Sequence, residues 1–499
     1  MSWKRWPSLA VLMVFALAVQ PVFAAGWSLM LQQGRVGLAL PDIHAGDWTV
    51  TGVRADVVTR VEADSHSVTI RFRPGSRLRA ARIVRESADT PAQLDDIRID
   101  LRGVTLTVNL GDHGPLIGRS SVAGQVAIEI GALNHPRIKP QGWRFEGKVN
   151  GPLSDLEFAG QLRSDSGLVA DVILKNVPGE LLAAHVTTVI DGEQGGKALA
   201  GTFTDWPDLL ELSMGTLRAE ADFRMEPDTP LAFDGRLTVD GVDGVMDRTA
   251  VSDLNGRLLI SLEQDSLSAR FREVKIGQIN SGVGIGPVRF LADYEAPRSD
   301  FLAGVLDIQQ ATADFLGGRL RVAPGAIDLS REPWQLPVDV HDVALARLLQ
   351  VYPAEGLEGT GVLSGRIPVQ VSDAGVEVER GKISAIAPGG LLKLPAHRLR
   401  AMLGSHQTMD LVVEALQNFH YSVLDSTIDY DEKGKLVLDV RLEGENPEVR
   451  GGQPVVLNIS LEEDIPALLT SLQLSGRVNE AVTERVRERL QRSGEEAVP

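Results

Sequence analysis

Residues able to do chemistry are sparse in this chain, and none falls in a catalytic spacing. Gly282-Val-Gly-Ile-Gly286 has the glycine density of a phosphate-cradling loop. No lysine follows it, and Pro287-Val-Arg-Phe290 reads as a strand, so these glycines are expected in β-turns. His341-Asp342 is an acid–base pair in sequence, but Asp342 is better read as the N-cap of a helix over Val343, Leu345, Leu348 and Leu349. His44, His66, His113, His135, His185, His397, His406 and His420 are scattered without the short spacings that gather metal ligands. There is no His-Glu-x-x-His and no Gly-x-Ser-x-Gly, the usual anchors of zinc and serine hydrolases. The absence of cysteine removes disulfides, thiolate metal sites and thiol nucleophiles together. No catalytic residue, metal or cofactor is therefore expected, and the chain does not read as an enzyme.

What the sequence does carry is an element pattern. The motif apolar–x–Gly–x–apolar recurs as Phe145-Glu-Gly147-Lys-Val149, Phe158-Ala-Gly160-Gln-Leu162, Phe233-Asp-Gly235-Arg-Leu237, Leu254-Asn-Gly256-Arg-Leu258 and Leu363-Ser-Gly365-Arg-Ile367. Side chains on a strand change face at every residue, so each glycine shares a face with its apolar neighbours. Glycine inside a strand marks a bend, a bulge or a close approach. The same alternation runs through Leu217, Ala219, Ala221, Phe223 and Met225, with Arg218, Glu220, Asp222 and Arg224 between them. These are half-buried strands of an antiparallel sheet, apolar on one face and charged on the other. The apolar face either packs on a second layer as a closed core or stays open as a groove. Alternation by itself favours the core, since most apolar strand faces are covered.

At 499 residues with a formal charge of −17, the chain is long enough for several cores and too acidic to bind nucleic acid. Lys4 and Arg5, the apolar run Leu9–Val19 and the small residues around Ala24 read as a secretory signal peptide over 1–24, with an uncleaved membrane anchor as the alternative. Helical signals are short: the segment after Asp342, Met409–Phe419, Glu463–Leu472 and the charged Val478–Gln491. The best internal boundary lies near Pro333 and Pro337. It divides strand repeats over 25–335 from a more sharply written segment over 336–475, with a charged helical tail at 476–499.

That later segment resembles the YdbH-type proteins of the Gram-negative envelope, members of the wider AsmA-like group that also includes TamB. The likeness is carried by Gly356-Leu-Glu-Gly-Thr-Gly-Val-Leu-Ser-Gly-Arg-Ile-Pro-Val369, by Ala415-Leu-Gln-Asn-Phe-His-Tyr-Ser-Val-Leu424 and by Gln453-Pro-Val-Val-Leu-Asn-Ile459 with Ile465-Pro-Ala-Leu-Leu-Thr-Ser-Leu472. Phe315-Leu-Gly-Gly-Arg-Leu320 also fits. The resemblance implies a mainly β fold, an elongated antiparallel sheet curled into a U-shaped apolar groove with a few short helices. It also implies a bridge along which phospholipid moves between inner and outer membranes, and a small outer-membrane lipoprotein as partner at the C-terminal end.

An acyl chain needs a continuous apolar path, because exposing it to water costs about 0.8 kcal/mol per CH₂. The residues expected to line such a path are Phe145, Phe158, Gly160, Leu162, Phe223, Phe233, Gly235, Leu237, Leu254, Gly256, Leu258, Leu363, Gly365 and Ile367. The glycines are expected to let the strands curl and to leave room for the chain. Val455, Leu457, Ile459 and Leu461 form one face of a late strand whose free edge could accept a partner's strand. The competing function is a structural or assembly protein of the periplasm, with a closed β core and protein partners.

Overall fold

The computed structural model describes residues 28–471 except 46–47, 86–90, 112–114, 228, 352–355, 397–406 and 450. The expected leader, the helix Val478–Gln491, the tail, and His113, His397 and His406 lie outside the described residues. Strand makes up 68% and helix 8%, so the mainly β, antiparallel expectation holds. Two compact units divide the chain: Met1–Val242 with Leu258–Leu267, and Asp243–Arg257 with Ser268–Pro499. Pro333 and Pro337 fall inside the second unit. Among the described residues no helix is long and apolar enough to cross a membrane.

The first unit is a run of hairpins. It comprises β1 (Ser28–Ala39), β2 (Ile43–Ala45), β3 (Trp48–Thr51), β4 (Arg54–Asp64), β5 (Ser67–Phe72), β6 (Arg77–Arg85), β7 (Ala92–Asp100), β8 (Thr105–Asn109), β9 (Ser120–His135), β10 (Ile138–Pro152), β11 (Leu156–Ser164), β12 (Val169–Val177), β13 (Leu181–Asp191) and β14 (Leu210–Met225). From β9 to β14 each strand pairs with the next. Upstream, β5 and β6 lie end to end beside β4, interrupted at 73–76, and β7 and β8 lie end to end beside β9, interrupted at 101–104.

Those interruptions sit side by side. Val58 N–H donates to Ser76 Oγ at 3.0 Å, and that hydroxyl donates to Val58 O at 2.8 Å. Leu101 N–H reaches Ser76 O at 3.0 Å, and Gly103 N–H reaches Phe72 O at 3.1 Å. On β9, Gly124 has φ +148°, and a Cβ there would lie 2.5 Å from Gly103 O. Breaks aligned across neighbouring strands bend all of them at one level, which is how a sheet curls. Aliphatic side chains pack beside this bend: Val61, Ile70, Leu106 and Val108 in one cluster, Val104, Val126 and Val149 in the next.

A helix that the sequence did not announce, α1 (Gly192–Thr202), follows β13. Asp191-Gly192 reads locally as a breaker, and glycines at 195, 196 and 201 make the segment a poor helix former. Packing decides it. Ala198, Leu199 and Thr202 are buried. Gly196 lets the helix sit against Leu212, whose Cβ would be 3.0 Å from an added methyl, and Gly201 does the same against Ser166 at 2.8 Å.

β15 (Ala232–Met246), β16 (Thr249–Leu262) and β17 (Ser266–Ile276) each contribute residues to both units. The second unit continues with β18 (Gln278–Asn280), β19 (Gly284–Ile285), β20 (Val288–Pro297), β21 (Val305–Phe315), β22 (Gly318–Val322), β23 (Gly325–Asp328), β24 (Trp334–Ala344), α2 (Leu345–Val351), β25 (Glu358–Gly359), β26 (Val362–Ser372), β27 (Gly375–Ala385), β28 (Gly390–Lys393), α3 (Gln407–Leu416), β29 (Phe419–Tyr430), β30 (Lys435–Glu445) and β31 (Val455–Asp464). The pairing order is β20–β21–β22–β24–β26–β27–β29–β30–β31. A last helical stretch, 465–471, is capped by Asp464, whose Oδ1 accepts the Ala467 N–H at 2.9 Å.

This stretch reports that the second unit's sheet is curled. Pro466 Cγ lies 2.5 Å from the Cβ position of Gly434, in the β29–β30 turn. Leu469 O lies 3.0 Å from that of Gly282, beside β18, and Thr470 Oγ1 is 3.3 Å from an Arg248 nitrogen. In a flat sheet, β21 and β29 alone would stand roughly 24 Å apart. Seven helical residues span about 10 Å.

Two expectations change here. Asp342 does not cap a helix. It lies within β24 with φ +56°, at the bulge where the register with β26 shifts, and its N–H donates to Ser364 Oγ at 3.0 Å. The strand continues to Ala344 because Val340 and Val343 both point into the core. Met409–Phe419 is helical only to Leu416, since Phe419 is fully buried as the first residue of β29. Of the glycines of 282–286, Gly282 (φ +122°) lies in the bend between β18 and β19, Gly284 begins β19, and Gly286 (φ +144°) lies in the connection to β20.

Candidate functional site

Strand register assembles the apolar motifs of the first unit into cross-strand rows. One row runs Val126–Gly147–Gly160–Val172–Val186–Ala221 from β9 to β14. Beside it runs Gly124–Val149–Phe158–Leu174–Ala184–Phe223. A third begins Ile128–Phe145–Leu162–Ala170. The first two contain no polar side chain over five inter-strand steps, roughly 24 Å.

Burial changes along these rows. Val126 and Val149 are each 6% exposed and belong to a core cluster that ends at Phe158. Val172, Leu174, Ala184, Val186, Ala221 and Phe223 are only half-buried, and among the described residues no core cluster includes a residue of β12, β13 or β14. Leu182 lies on the same face, opposite Met225, and is 37% exposed. The Phe223 and Phe233 rings meet at 5.0 Å, adding β15 to the apolar surface.

The motif glycines turn out to be close-approach positions. Gly147 and Gly160 are direct partners, and a Cβ on Gly160 would lie 2.3 Å from Glu146 O. The Phe145 ring folds back onto Gly147, with Cζ 2.7 Å from its Cβ position, and Phe233 covers Gly235 at 2.6 Å. The space that these glycines leave is thus occupied by backbone or by a phenylalanine ring. Leu237 is half-buried on the face of Phe233 and Gly235.

On β16, Leu254, Gly256 and Leu258 are half-buried, and a Cβ on Gly256 would lie 3.1 Å from Val274 Cα. Leu363, Gly365 and Ile367 are placed differently. Gly365 belongs to a nine-strand row, Val288–Ala313–Leu320–Val340–Gly365–Ile383–Ser426–Val440–Ile459. Leu363 is 6% exposed, and with Ile367 it packs into a core capped by Leu345 of α2 and by Val413 and Leu416 of α3. Val455, Leu457 and Ile459 pack against this same core, while Leu461 is 38% exposed. β31 pairs with β30 and, among the described residues, with no further strand.

The opposite face is a charged ladder. Arg144–Glu129 at 2.9 Å, Lys175–Asp155 at 3.3 Å, Arg236–Glu220 at 3.3 Å and His185–Asp222 at 2.8 Å are all well exposed. Such pairs add little stability but keep that face wetted. Asp95 is held below the usual carboxylate range, chiefly by hydrogen bonds from Arg82 and then Gln93. Asp339 is lowered in the same way by Arg366, at 2.6 Å. Among the described residues no three His, Asp or Glu side chains gather as metal ligands.

The site is a half-buried apolar surface, and among the described residues no polar side chain interrupts its two main rows. Sequence reading picked out the Phe- and Gly-centred motifs and Phe223 of these rows, but not Val172, Leu174, Ala184 and Val186, which the register sets in the same rows. Their own alternation was the available signal. What it lacked was the register that puts them beside Gly160 and Phe158.

Comparison with curated proteins and with solved structures finds no match. A family model described as YdbH-like, intermembrane phospholipid transport protein YdbH, matches residues 38–487, well beyond the C-terminal third that carried the resemblance in the sequence. With nearly its whole length matched, the chain belongs to the YdbH-like family of intermembrane phospholipid transport proteins.

Proposed function

We propose that this chain is a bridge-like carrier of the Gram-negative envelope, moving phospholipid along an apolar β-groove between inner and outer membranes. The observation that supports this most is the pair of all-apolar rows across β9 to β14, half-buried from Phe158 onward. A lipid tail laid along them would gain about 0.8 kcal/mol for each CH₂ removed from water. The lining comprises the candidate residues of β10, β11, β14 and β15 together with Val172, Leu174, Ala184 and Val186. Sliding suits such a surface, because neighbouring positions are chemically alike and no polar contact must be broken.

On this reading the protein works in the periplasm, delivered or anchored by its N-terminal segment. The free edge of β31 accepts a strand from a small outer-membrane lipoprotein by β-augmentation. Its role is transport and not catalysis.

A second reading, a periplasmic assembly protein with a closed core, draws support from the second unit, where α2 and α3 cover Leu363, Leu424 and Leu442. Native mass spectrometry of protein purified from envelope extract separates the two. The carrier reading expects bound phospholipid, and photocrosslinking to it from positions 158 and 223. Lipid-free protein with no crosslink at either position would leave the assembly reading.

A further inference from the structure

The face opposite the apolar row of the second unit holds a cleft of about 1060 Å³ between β19, the β21–β22 turn, β24 and α2. Arg319, Arg321, Arg347, His341, Asp314 and Asp342 line it. Arg319 and Arg321 alternate with Leu320, which packs into the core, so both point away from the apolar side. Arg347 comes from α2, and its Cδ, Nε and Cζ all lie 3.3 Å from the Cβ position of Gly317. Gly317 has φ +85°, so the tight turn and the missing side chain together let this guanidinium lie across β21–β22.

Two of the three carboxylates nearby are committed. Asp314 pairs with Arg319 at 3.2 Å, and Asp339, directly opposite Arg321 in the register, pairs with Arg366 at 2.6 Å. Among the described residues Arg321 and Arg347 have no hydrogen-bond or ion-pair partner. Among the side chains that line the cleft, three guanidiniums stand against two carboxylates, Asp314 and Asp342, a local excess of positive charge in a chain carrying −17.

We propose that this cleft is a binding site for a phosphate-bearing anion, held by Arg321 and Arg347 with Arg319 and His341 at its side. Guanidinium forks match phosphate oxygens in geometry as well as charge, and a dianion offsets the repulsion between two guanidiniums that face the same cleft. The site stands on the charged face, so it is independent of the apolar path. Its phosphate comes either from a headgroup at a bilayer surface or from a small soluble phosphate.

Calorimetric titration of the full chain with glycerol 3-phosphate, and flotation with vesicles of phosphatidylglycerol or of phosphatidylcholine, test it. Binding is expected, weakening about tenfold for each of Arg321→Gln and Arg347→Gln, the loss expected for one charge-assisted hydrogen bond. Selective flotation with phosphatidylglycerol that the double variant loses identifies a headgroup. Titration without flotation identifies a soluble phosphate. No binding of either probe to the wild-type chain, or equal binding by a double variant with an unchanged thermal melt, overturns the proposal. Copurifying lipid, measured on the same double variant, is expected unchanged, which keeps this result separate from the carrier reading.

Discussion

Gly147 and Gly160 stand directly opposite each other on β10 and β11, so close that a Cβ on Gly160 would lie 2.5 Å from Gly147 Cα. This contact explains the motif differently from the expectation that glycine leaves room for cargo. Two strands approach face-on where both lack a side chain, and a phenylalanine two residues away roofs the gap. The Phe–x–Gly spacing suits this, because residues two apart share a face and an aromatic ring is long enough to fold over its neighbour.

Alanine at Gly160 should therefore destabilise the first unit, because its methyl meets Glu146 O and backbone cannot move aside cheaply. The expected cost is about 1–3 kcal/mol. Gly235→Ala meets only the Phe233 ring, which can rotate away, and should cost less. Urea denaturation of the two variants checks the order, and an equal or reversed cost contradicts it.

Val186→Asp places a charge on the half-buried row between Val172 and Ala221. Copurifying lipid should fall several-fold while the melting temperature moves little. Leu442→Asp buries the same charge beneath α3, where Leu442 is 1% exposed, and should prevent folding of the second unit. Lipid analysis and thermal melts of both variants, side by side, distinguish an open wall from a covered one.

Leu416 is 1% exposed at the end of α3 and contacts the core formed by β26, β29 and β30. Leu416→Ala should cost about 2–5 kcal/mol, the range for a large-to-small change in a packed core. If α3 only rested on an open face, the loss in denaturation midpoint would be far smaller.

The Asp339–Arg366 pair provides a pH signature. Its hydrogen bond holds Asp339 below its unfolded value, so the stability it adds is complete above that value, about 3.9. It is lost as pH falls through the lower, folded pKa. Arg366→Gln should melt slightly below the wild type at pH 6, and the gap should close as the solution is acidified below about pH 4. The gap should be small because Arg366 is 67% exposed and the pair is partly screened. A gap that widens in acid would contradict the assignment.

Much of the fold was legible because strand alternation is a local property. Leu217, Ala219, Ala221 and Phe223 declare a face without reference to any neighbour, and the Gly-centred motifs declare where strands come close. The family match was legible first near the C-terminus, where motifs such as Ala415–Leu424 carry turns and core residues in a distinctive order. In the first unit the same relationship is spread over alternating aliphatic residues that many β proteins share.

The sequence by itself determined that the chain is built of alternating strands and which side of the clearest ones is apolar, since a period of two needs nothing beyond the chain. It also limited the chemistry, through the missing cysteine and the absence of ligand spacing. Tertiary structure alone decided what covers each apolar face. Leu363 and Phe158 sit in the same kind of motif, yet α3 seals the first into a core while the second opens onto a half-buried row. It also decided that the glycine-rich segment after Asp191 is a helix and that Asp342 is a bulge. The physical reason is common to all three: coverage, helix docking and register depend on residues tens to hundreds of positions away, and a local pattern carries no record of them.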